Sequence, residues 1–356
     1  MNGTNGGEAD SKVSKELESL RLKIDGIDSE IVQLLAKRME VVSEVGELKK
    51  KHGIAVTDSG REAKVVEKWE GMGHSLGLPP GLAGSVVSVI FPYSKVREVK
   101  SSRRHSICII GYGSMAKVLA WVMLNAGNSV TITGRDSGKA STLANSLGCT
   151  SAPIGSAVSS SEYIVVALSP DAFESGFVEN ALKGASGKLV MDIASAKHPI
   201  YEIMKTLSES LKFRYVSTHP LFGGEAMPIG RKIAIISDNA ESNTNAEEVS
   251  SFYSEMGITP EIVSLDEHEK AMAVVQVVPH FLTLSLEKAI NNTEAKLSIS
   301  SEKFSTPNLE RVNALIAGVE NNMKVVLEIQ RLNKYAVDAR GIAISSAFEV
   351  EKAINK

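Results

Sequence analysis

The segment Ser106 to Ala116, SICIIGYGSMA, limits the fold more than any other stretch of this chain. A short apolar run, Ile107 to Ile110, breaks at Gly111-Tyr112-Gly113 and passes directly into Met115, Val118, Leu119, Val122 and Met123 at helical spacing. The pattern reads strand, tight turn, helix. Gly111 permits the bend, and Gly113 lets backbone N–H groups approach a pyrophosphate at the positive end of the following helix. Ala116 stands where a third small residue lets helix lie close on strand. An ordinary glycine-rich turn has the same local pattern, but a second strand, Ser129 to Thr133, follows at the distance a dinucleotide site requires. Gly111, Tyr112, Gly113, Ser114 and Met115 are the candidate cofactor contacts.

From there the chain alternates strand and helix, with strands at Ile107 to Ile110, Val130 to Thr133, Tyr163 to Leu168, Lys188 to Ile193 and Tyr215 to Thr218. Alternation of this kind predicts a parallel, doubly wound sheet of Rossmann type, whose ligands bind beyond the carboxyl ends of the strands. The residues at those ends are Ser169, then Asp192, Ser195 and Lys197, then His219. Each could be a cap or turn residue, and their convergence beside a dinucleotide turn favours a site. After the second strand, Gly134 removes bulk and Arg135 offers a partner for a 2'-phosphate, which favours NADP. Asp136, one place on, keeps NAD open as the alternative.

The first hundred residues are of another kind. Residues 1–14 are polar and Gly/Asn-rich and predict a disordered tail. Leu20, Ile24, Ile27, Ile31, Leu34, Val41, Val45 and Leu48 then form one stripe of a long helix, in which position 38 is filled by Arg38. Lys49 lies about 16 Å further along and about 20° around the helix, whereas Arg21 lies about 100° off that line. Arg38 could snorkel, or pair with Glu44 or Glu62; a cationic pocket for a small dianion is the sharper alternative. Asp58 is a plausible N-cap for a second helix reaching about Trp69, a loop (GMGHSLGLPPG) follows, and a third helix spans about Leu82 to Val99. Three such helices cannot close a core alone, so a second chain is expected.

LRLKIDGIDSEIVQLLAKRMEVVSEVGELK, DSGRE and the helix carrying Ser94 and Glu98 resemble the all-helical chorismate mutase family. The resemblance implies an intertwined dimer binding chorismate through Arg21 of one protomer and Arg38, Lys49, Asp58, Arg61, Glu62, Ser94 and Glu98 of the other. Conversion to prephenate is a unimolecular rearrangement needing only a compact conformer and stabilised charge on the ether oxygen. Lys49 and the side chain at position 98 would face that oxygen. Family members often carry Gln there; Glu98 can donate only when protonated, which predicts a mutase rate that falls as pH rises and Glu98 ionises.

Further on, ICIIGYGSMAKVLAWVM, VALSP, VMDIASAKHPI, STHPLFGGEA and DEHEKAMAVVQVVPHF resemble the prephenate dehydrogenase family over about residues 106–290. The resemblance carries over Ser169, His219, Glu225 and His280. The histidine of HPLFG would bond the ring hydroxyl of prephenate, assisted by Ser169. A neutral imidazole can take the hydroxyl proton as hydride leaves for the nicotinamide, and loss of carbon dioxide then gives an aromatic ring. Without the motif, His219 would be read as a strand-end histidine bonded to backbone, and His280 is equally well a packed core residue. From about Asp266 the pattern is helical to the end, with a break at FSTPN, and suits a dimerising domain. Arg311 is the nearest candidate for the ring carboxylate, although a one-residue slip would put Gly318 there. Prephenate and arogenate both stay open as substrates. No room is expected after these helices for a regulatory domain, so any tyrosine inhibition would act at the dehydrogenase site.

The expected architecture is multi-domain: a disordered tail (1–14), an N-terminal all-α chorismate-mutase-like helical domain (15–99), a linker (100–105), an α/β Rossmann-type doubly wound domain (106–265) and a C-terminal all-α dimerisation domain (266–356). A net charge of -3 gives no reason to expect nucleic acid or membrane as a partner. We find no apolar stretch of 18 residues and no signal peptide. Two cysteines, Cys108 and Cys149, make no disulfide framework and fit a reducing cytoplasm, and the seven histidines lack metal-ligand spacing. The expectation is a bifunctional homodimer making 4-hydroxyphenylpyruvate. The rivals are a dehydrogenase with a catalytically silent helical module, and an NADP-binding sensor.

Overall fold

The computed structural model describes residues 6–52, 59–98, 101–238 and 240–355. The chain divides into two compact units, Met1–Lys100 and Ser101–Lys356.

The first unit is three helices: α1 (Gly6–Lys51), α2 (Ser59–Ser75) and α3 (Leu82–Glu98). α1 begins inside the segment whose composition predicts a tail, of which residues 1–5 lie outside the described residues. α2 runs past Trp69 through the glycines read as loop. Gly73 explains this, since a Cβ there would come within 2.9 Å of the Ala83 Cβ where α2 meets α3. Pro92 lies within α3, which continues past the lost hydrogen bond to Glu98. Ala83, Val87, Ile90 and Val96 are buried, whereas every member of the α1 stripe from Leu20 to Leu48 is exposed. Asp58 lies outside the described residues.

The second unit is built on one sheet. Its elements are β1 (Ser106–Ile110), α4 (Ser114–Asn125), β2 (Ser129–Thr133), α5 (Ser137–Leu147), β3 (Thr150–Ser151), α6 (Ile154–Ser160) and β4 (Tyr163–Val166). Then come α7 (Pro170–Glu174), α8 (Phe177–Ala181), β5 (Leu189–Asp192), α9 (His198–Leu211), β6 (Arg214–Pro220), β7 (Lys232–Ile236), α10 (Ala240–Ser254) and β8 (Thr259–Val263). The strand order is β3-β2-β1-β4-β5-β6-β7-β8. All neighbours pair parallel except β6 and β7. The five strands expected from the alternation pair parallel, and the sheet is parallel-rich rather than wholly parallel because β7, which the sequence reading did not include, joins β6 through a loop instead of a crossover helix. β8 contains Pro260, which an edge strand tolerates. Cys108, Ile110, Ile164, Val166 and Val190 form the core beneath α6 to α9.

The helical end comprises α11 (Leu265–Met272), a π turn (Ala273–Val277), α12 (Val278–Leu297), a 3-10 turn (Ser301–Phe304), α13 (Pro307–Glu320), α14 (Met323–Leu332) and α15 (Ala336–Ile354). Pro279 lacks an N–H and its ring would clash with the carbonyl four residues back, and the wide π turn relieves both. The break at FSTPN is present, with Thr306 capping α13 through Leu309 N. By length and composition alone, one helical run among the described residues, Leu265–Leu297, is long and apolar enough to cross a membrane, although polar and charged residues interrupt it and it contains no continuous apolar stretch of 18 residues. Its inner face packs Ala273 and Val277 on Ile329, Ala336 and Ala339, while Val274, Val275, Leu282 and Leu286 face outward.

Candidate active sites

In the helical unit, four predicted residues come together. Arg38 Nη1 donates to Ser94 Oγ at 2.5 Å, and Lys49 Nζ pairs with Glu98 Oε2 at 2.6 Å. The two pairs lie between α1 and α3 along the line the spacing of Arg38 and Lys49 predicts. Gly46 makes this approach possible, since a Cβ there would sit 2.5 Å from Glu98 Cα. Burial lowers the Arg38 pKa against the opposing pull of Glu98. Arg38 takes neither acid of the bland reading: its hydrogen bond goes to Ser94, and Glu62 pairs with Lys95 at 2.7 Å. Arg61 is exposed near the start of α2. Arg21 is exposed on α1, about 25 Å from Arg38 by helix rise, so one chain does not bring it to the pocket.

In the sheet unit the register sets the geometry. Ile110, Val166, Asp192 and Ser217 are partners across β1, β4, β5 and β6, so Gly111, Ser169, Ser195 and His219 all follow one carboxyl edge. Three strand steps, about 14 Å, separate the β1 turn from His219. Gly111 has φ of +141° and its amide donates to Thr133 O at 2.8 Å; a Cβ there would overlap the Ala167 carbonyl oxygen. Gly113 begins α4 with no side-chain cap, leaving the first amides of Ser114 and Met115 to an anion. The loop after β6 closes on this turn: a Cβ on Gly224 would overlap Ser114, which puts the exposed Glu225 beside the cofactor residues. These features fit a bound dinucleotide.

At the end of β2 a Cβ on Gly134 would come within 2.7 Å of the Tyr112 ring, so no acidic side chain has room there. The Arg135 guanidinium lies over the Phe177 ring, 5.1 Å from its centroid. Asp136 is the N-cap of α5, accepting from Lys139 N at 3.0 Å. Ser169 begins α7 and makes no capping bond.

His219 lies within β6 rather than after it, 2% exposed, with Nδ1 3.0 Å from His268 Nε2. Its partner is thus a side chain rather than backbone, and His268 was missed by sequence reading although it stands in the quoted DEHEKAM motif. Burial, then the charges of His268 and Lys197, hold the His219 pKa well below its ordinary 6.5. Lys197, completely buried, bonds Asp192 Oδ1 at 2.7 Å and the Thr218 carbonyl at 2.5 Å. His280 follows the π turn; burial lowers its pKa, and its Nδ1 is buried without a partner. The buried Gln276 Oε1 likewise has none. Arg311 is exposed on α13 and donates to Asn308 Oδ1 at 3.2 Å.

The second unit is thus a pyridine-nucleotide-binding oxidoreductase fold with a buried histidine at the carboxyl edge of its sheet, preceded by a helical unit in which Arg38 and Lys49 lie between two helices. Residues 20–99 match the family described as chorismate mutase type II, and residues 106–196 match that described as NADP oxidoreductase, coenzyme F420-dependent. The T-protein of Enterobacter agglomerans is 25% identical over 301 residues, covering 80% of this chain and 75% of that protein. A probable arogenate/prephenate dehydrogenase of Methanocaldococcus jannaschii is 27% identical, covering 70% of this chain and 56% of that protein. The solved prephenate dehydrogenase of A. aeolicus, in complex with hydroxyphenyl propionate and NAD+, superimposes with a TM-score of 0.54 at 17% identity, covering 72% and 90% of the two chains. Residues 20–99 thus resemble a chorismate mutase type II domain, and the second unit shares the fold of the solved prephenate dehydrogenase.

Proposed function

We propose a bifunctional enzyme of tyrosine biosynthesis that rearranges chorismate to prephenate and oxidatively decarboxylates prephenate to 4-hydroxyphenylpyruvate. The observation that carries this reading is the joint presence of the Arg38–Ser94 and Lys49–Glu98 pairs in one unit and, in the other, buried His219 on the same carboxyl edge of the sheet as a dinucleotide turn. Chorismate supplied with either NADP or NAD should give nicotinamide reduction at 340 nm; prephenate oxidation without chorismate turnover would leave only the dehydrogenase with a silent module.

In the helical pocket Arg38 holds a carboxylate of chorismate, with Arg61 and Ser94 beside it. Lys49 faces the ether oxygen, where charge develops. A second chain, laid on the exposed α1 stripe, supplies Arg21 and completes the site. Leu20, Ile24, Ile27 and Ile31 are each at least half exposed in one chain, a large apolar face for water to wet. Before substrate arrives Glu98 competes for the Lys49 ammonium. Substituting Gly46→Ala forces α1 off α3 by about 0.9 Å, from the 2.5 Å approach to an ordinary 3.4 Å contact. A displacement near 1 Å costs about 10²-fold, so the expected result is a mutase kcat/KM lower by about that factor, with prephenate oxidation unchanged.

In the dehydrogenase unit the pyridine nucleotide, when bound, accepts the hydride. The chain's own residues do the rest: the α4 amides and Gly113 receive the pyrophosphate, His219 takes the ring hydroxyl proton, Ser169 and His280 contact the substrate, and Glu225 borders it. NADP is the preferred cofactor. Three observations support this: Gly134 is closed by Tyr112, the Asp136 carboxylate is engaged as a cap, and Arg135 bonds no carboxylate among the described residues. Substituting Arg135→Ala should raise the KM for NADP about 10- to 100-fold, the loss of one charge-assisted bond of about 1.5–3 kcal/mol. The KM for NAD should move less than threefold.

A further inference from the structure

The nitrogen of His219 turned away from the substrate is already engaged, and by an unusual partner. His219 Nδ1 and His268 Nε2 are 3.0 Å apart, with the rings edge to face at 68° and both residues 2% exposed. A shared proton joins the two nitrogens, so only one can carry it. If His219 carries it on Nδ1, its Nε2 lone pair is left to accept from a substrate hydroxyl; if His268 carries it, His219 is held in the tautomer that cannot serve as base. What stands behind His268 decides between the two.

His268 Nδ1 is buried, has no hydrogen-bond partner, and faces Glu269 Oε1 across 3.8 Å. Glu269 is 1% exposed and fixed from two sides: Lys197 N donates to Oε1 at 3.3 Å, and Lys334 N donates to Oε2 at 3.0 Å. Burial pushes the Glu269 carboxyl up, but the His268 contact and these backbone amides outweigh it and hold it below the ordinary range. A fixed anion opposite Nδ1 favours the proton on that nitrogen, which leaves His268 Nε2 as the acceptor and His219 Nδ1 as the donor. The charged groups acting on the pair are Glu269 from α11, Asp192 from the end of β5 and Lys197 from the turn that follows it.

We infer that His268, backed by Glu269, is a positioning residue that fixes the base-competent tautomer of His219 and disperses the positive charge formed when His219 is protonated. The inference rests on the proposed oxidation of a ring alcohol. In that step the substrate O–H bond breaks, its proton goes to His219 Nε2, its electron pair becomes part of the new C=O bond, and the hydride goes to the pyridine nucleotide. His219 Nδ1–H stays on His219 and its hydrogen bond to His268 strengthens. The two-residue stretch His268-Glu269 thereby acts as orienter for a base that lies 49 residues earlier on a different element.

The test compares His268→Phe, His268→Gln and His219→Asn in the full chain, with kcat and KM for prephenate and arogenate, nicotinamide nucleotide binding by fluorescence, and nitrogen-15 imidazole spectra. His268→Phe fills the space but accepts nothing, and kcat should fall on the order of 10²-fold with KM and nucleotide affinity within threefold. His268→Gln presents an acceptor oxygen and should recover at least tenfold over the phenylalanine variant. The spectra should show His219 protonated at Nδ1 in the parent and in His268→Gln, and a mixture of tautomers in His268→Phe. Unchanged kcat in His268→Phe alongside an inactive His219→Asn would overturn the inference and leave the dehydrogenase reading intact. Equal losses in both His268 variants, accompanied by weaker nucleotide binding, would show a packing role and overturn it as well. A parent protein that oxidises neither substrate removes the reading itself, and the inference with it.

Discussion

Substituting His219→Asn should lower kcat for prephenate oxidation by about 10²- to 10⁴-fold, the range of a lost general base, and should leave chorismate turnover unchanged. Asparagine keeps a polar side chain able to face His268 but has no basic nitrogen for the ring hydroxyl. The mutase rate is the internal control, because the two chemistries lie in separate compact units. Burial first, then His268 and Lys197, keep His219 neutral well below pH 6.5, so oxidation should persist into mild acid before protonation stops it. The same shift has a stability consequence. The folded state resists protonating His219 and His268 while the unfolded chain does not. Their contribution is therefore full above about pH 6.5 and is lost progressively as pH falls below that value toward their depressed folded-state pKa values. Melting temperature measured from pH 8 to pH 5 should decline on the acid side, and less steeply in His219→Asn. Retention of oxidation within twofold in that variant would remove His219 from the mechanism.

The parts of this molecule that were legible in its sequence are those where one local pattern carries the whole constraint. The GYGSMA turn was legible because only glycine tolerates φ of +141° against the Ala167 carbonyl. Arg38 was legible as a charge in an apolar stripe, and Lys49 by its angle to it. Features that depend on distant pairing were not. β7 is a good strand by composition, but its antiparallel partnering with β6 depends on how the intervening loop turns. The buried Lys197 could be noticed at a strand end, whereas its bond to the Thr218 carbonyl is purely tertiary. His268 sits on α11 like any helical histidine until β6 is placed beside it. Arg311 shows the opposite limit: its motif match slips by a residue, and its hydrogen bond to Asn308, one turn earlier, neither supports nor removes it as a candidate.

The second large effect concerns Asp192. Its carboxylate accepts from Lys197 Nζ at 2.7 Å, from Ala194 N at 2.9 Å and from the Tyr215 hydroxyl at 2.7 Å, and its own carbonyl accepts from Thr218 Oγ1 at 2.7 Å. Both members of the ion pair are completely buried. Burial lowers the Lys197 pKa against the pull of Asp192, which marks how costly an ammonium is at that place without its carboxylate. Asp192→Ala should therefore destabilise the dehydrogenase unit by about 3–5 kcal/mol, the cost of stranding one partner of a buried pair. For a unit of this size that corresponds to a melting temperature lower by roughly 6–20 °C. Pairing the change with Lys197→Met removes the stranded charge and should recover most of the loss. A single substitution costing less than about 1 kcal/mol would mean that Lys197 is not charged in the folded protein. The pair also clamps the end of β5 to Thr218, the residue before His219. The double variant should accordingly regain stability while its kcat for prephenate stays depressed, since the strand that aims the imidazole has lost its anchor.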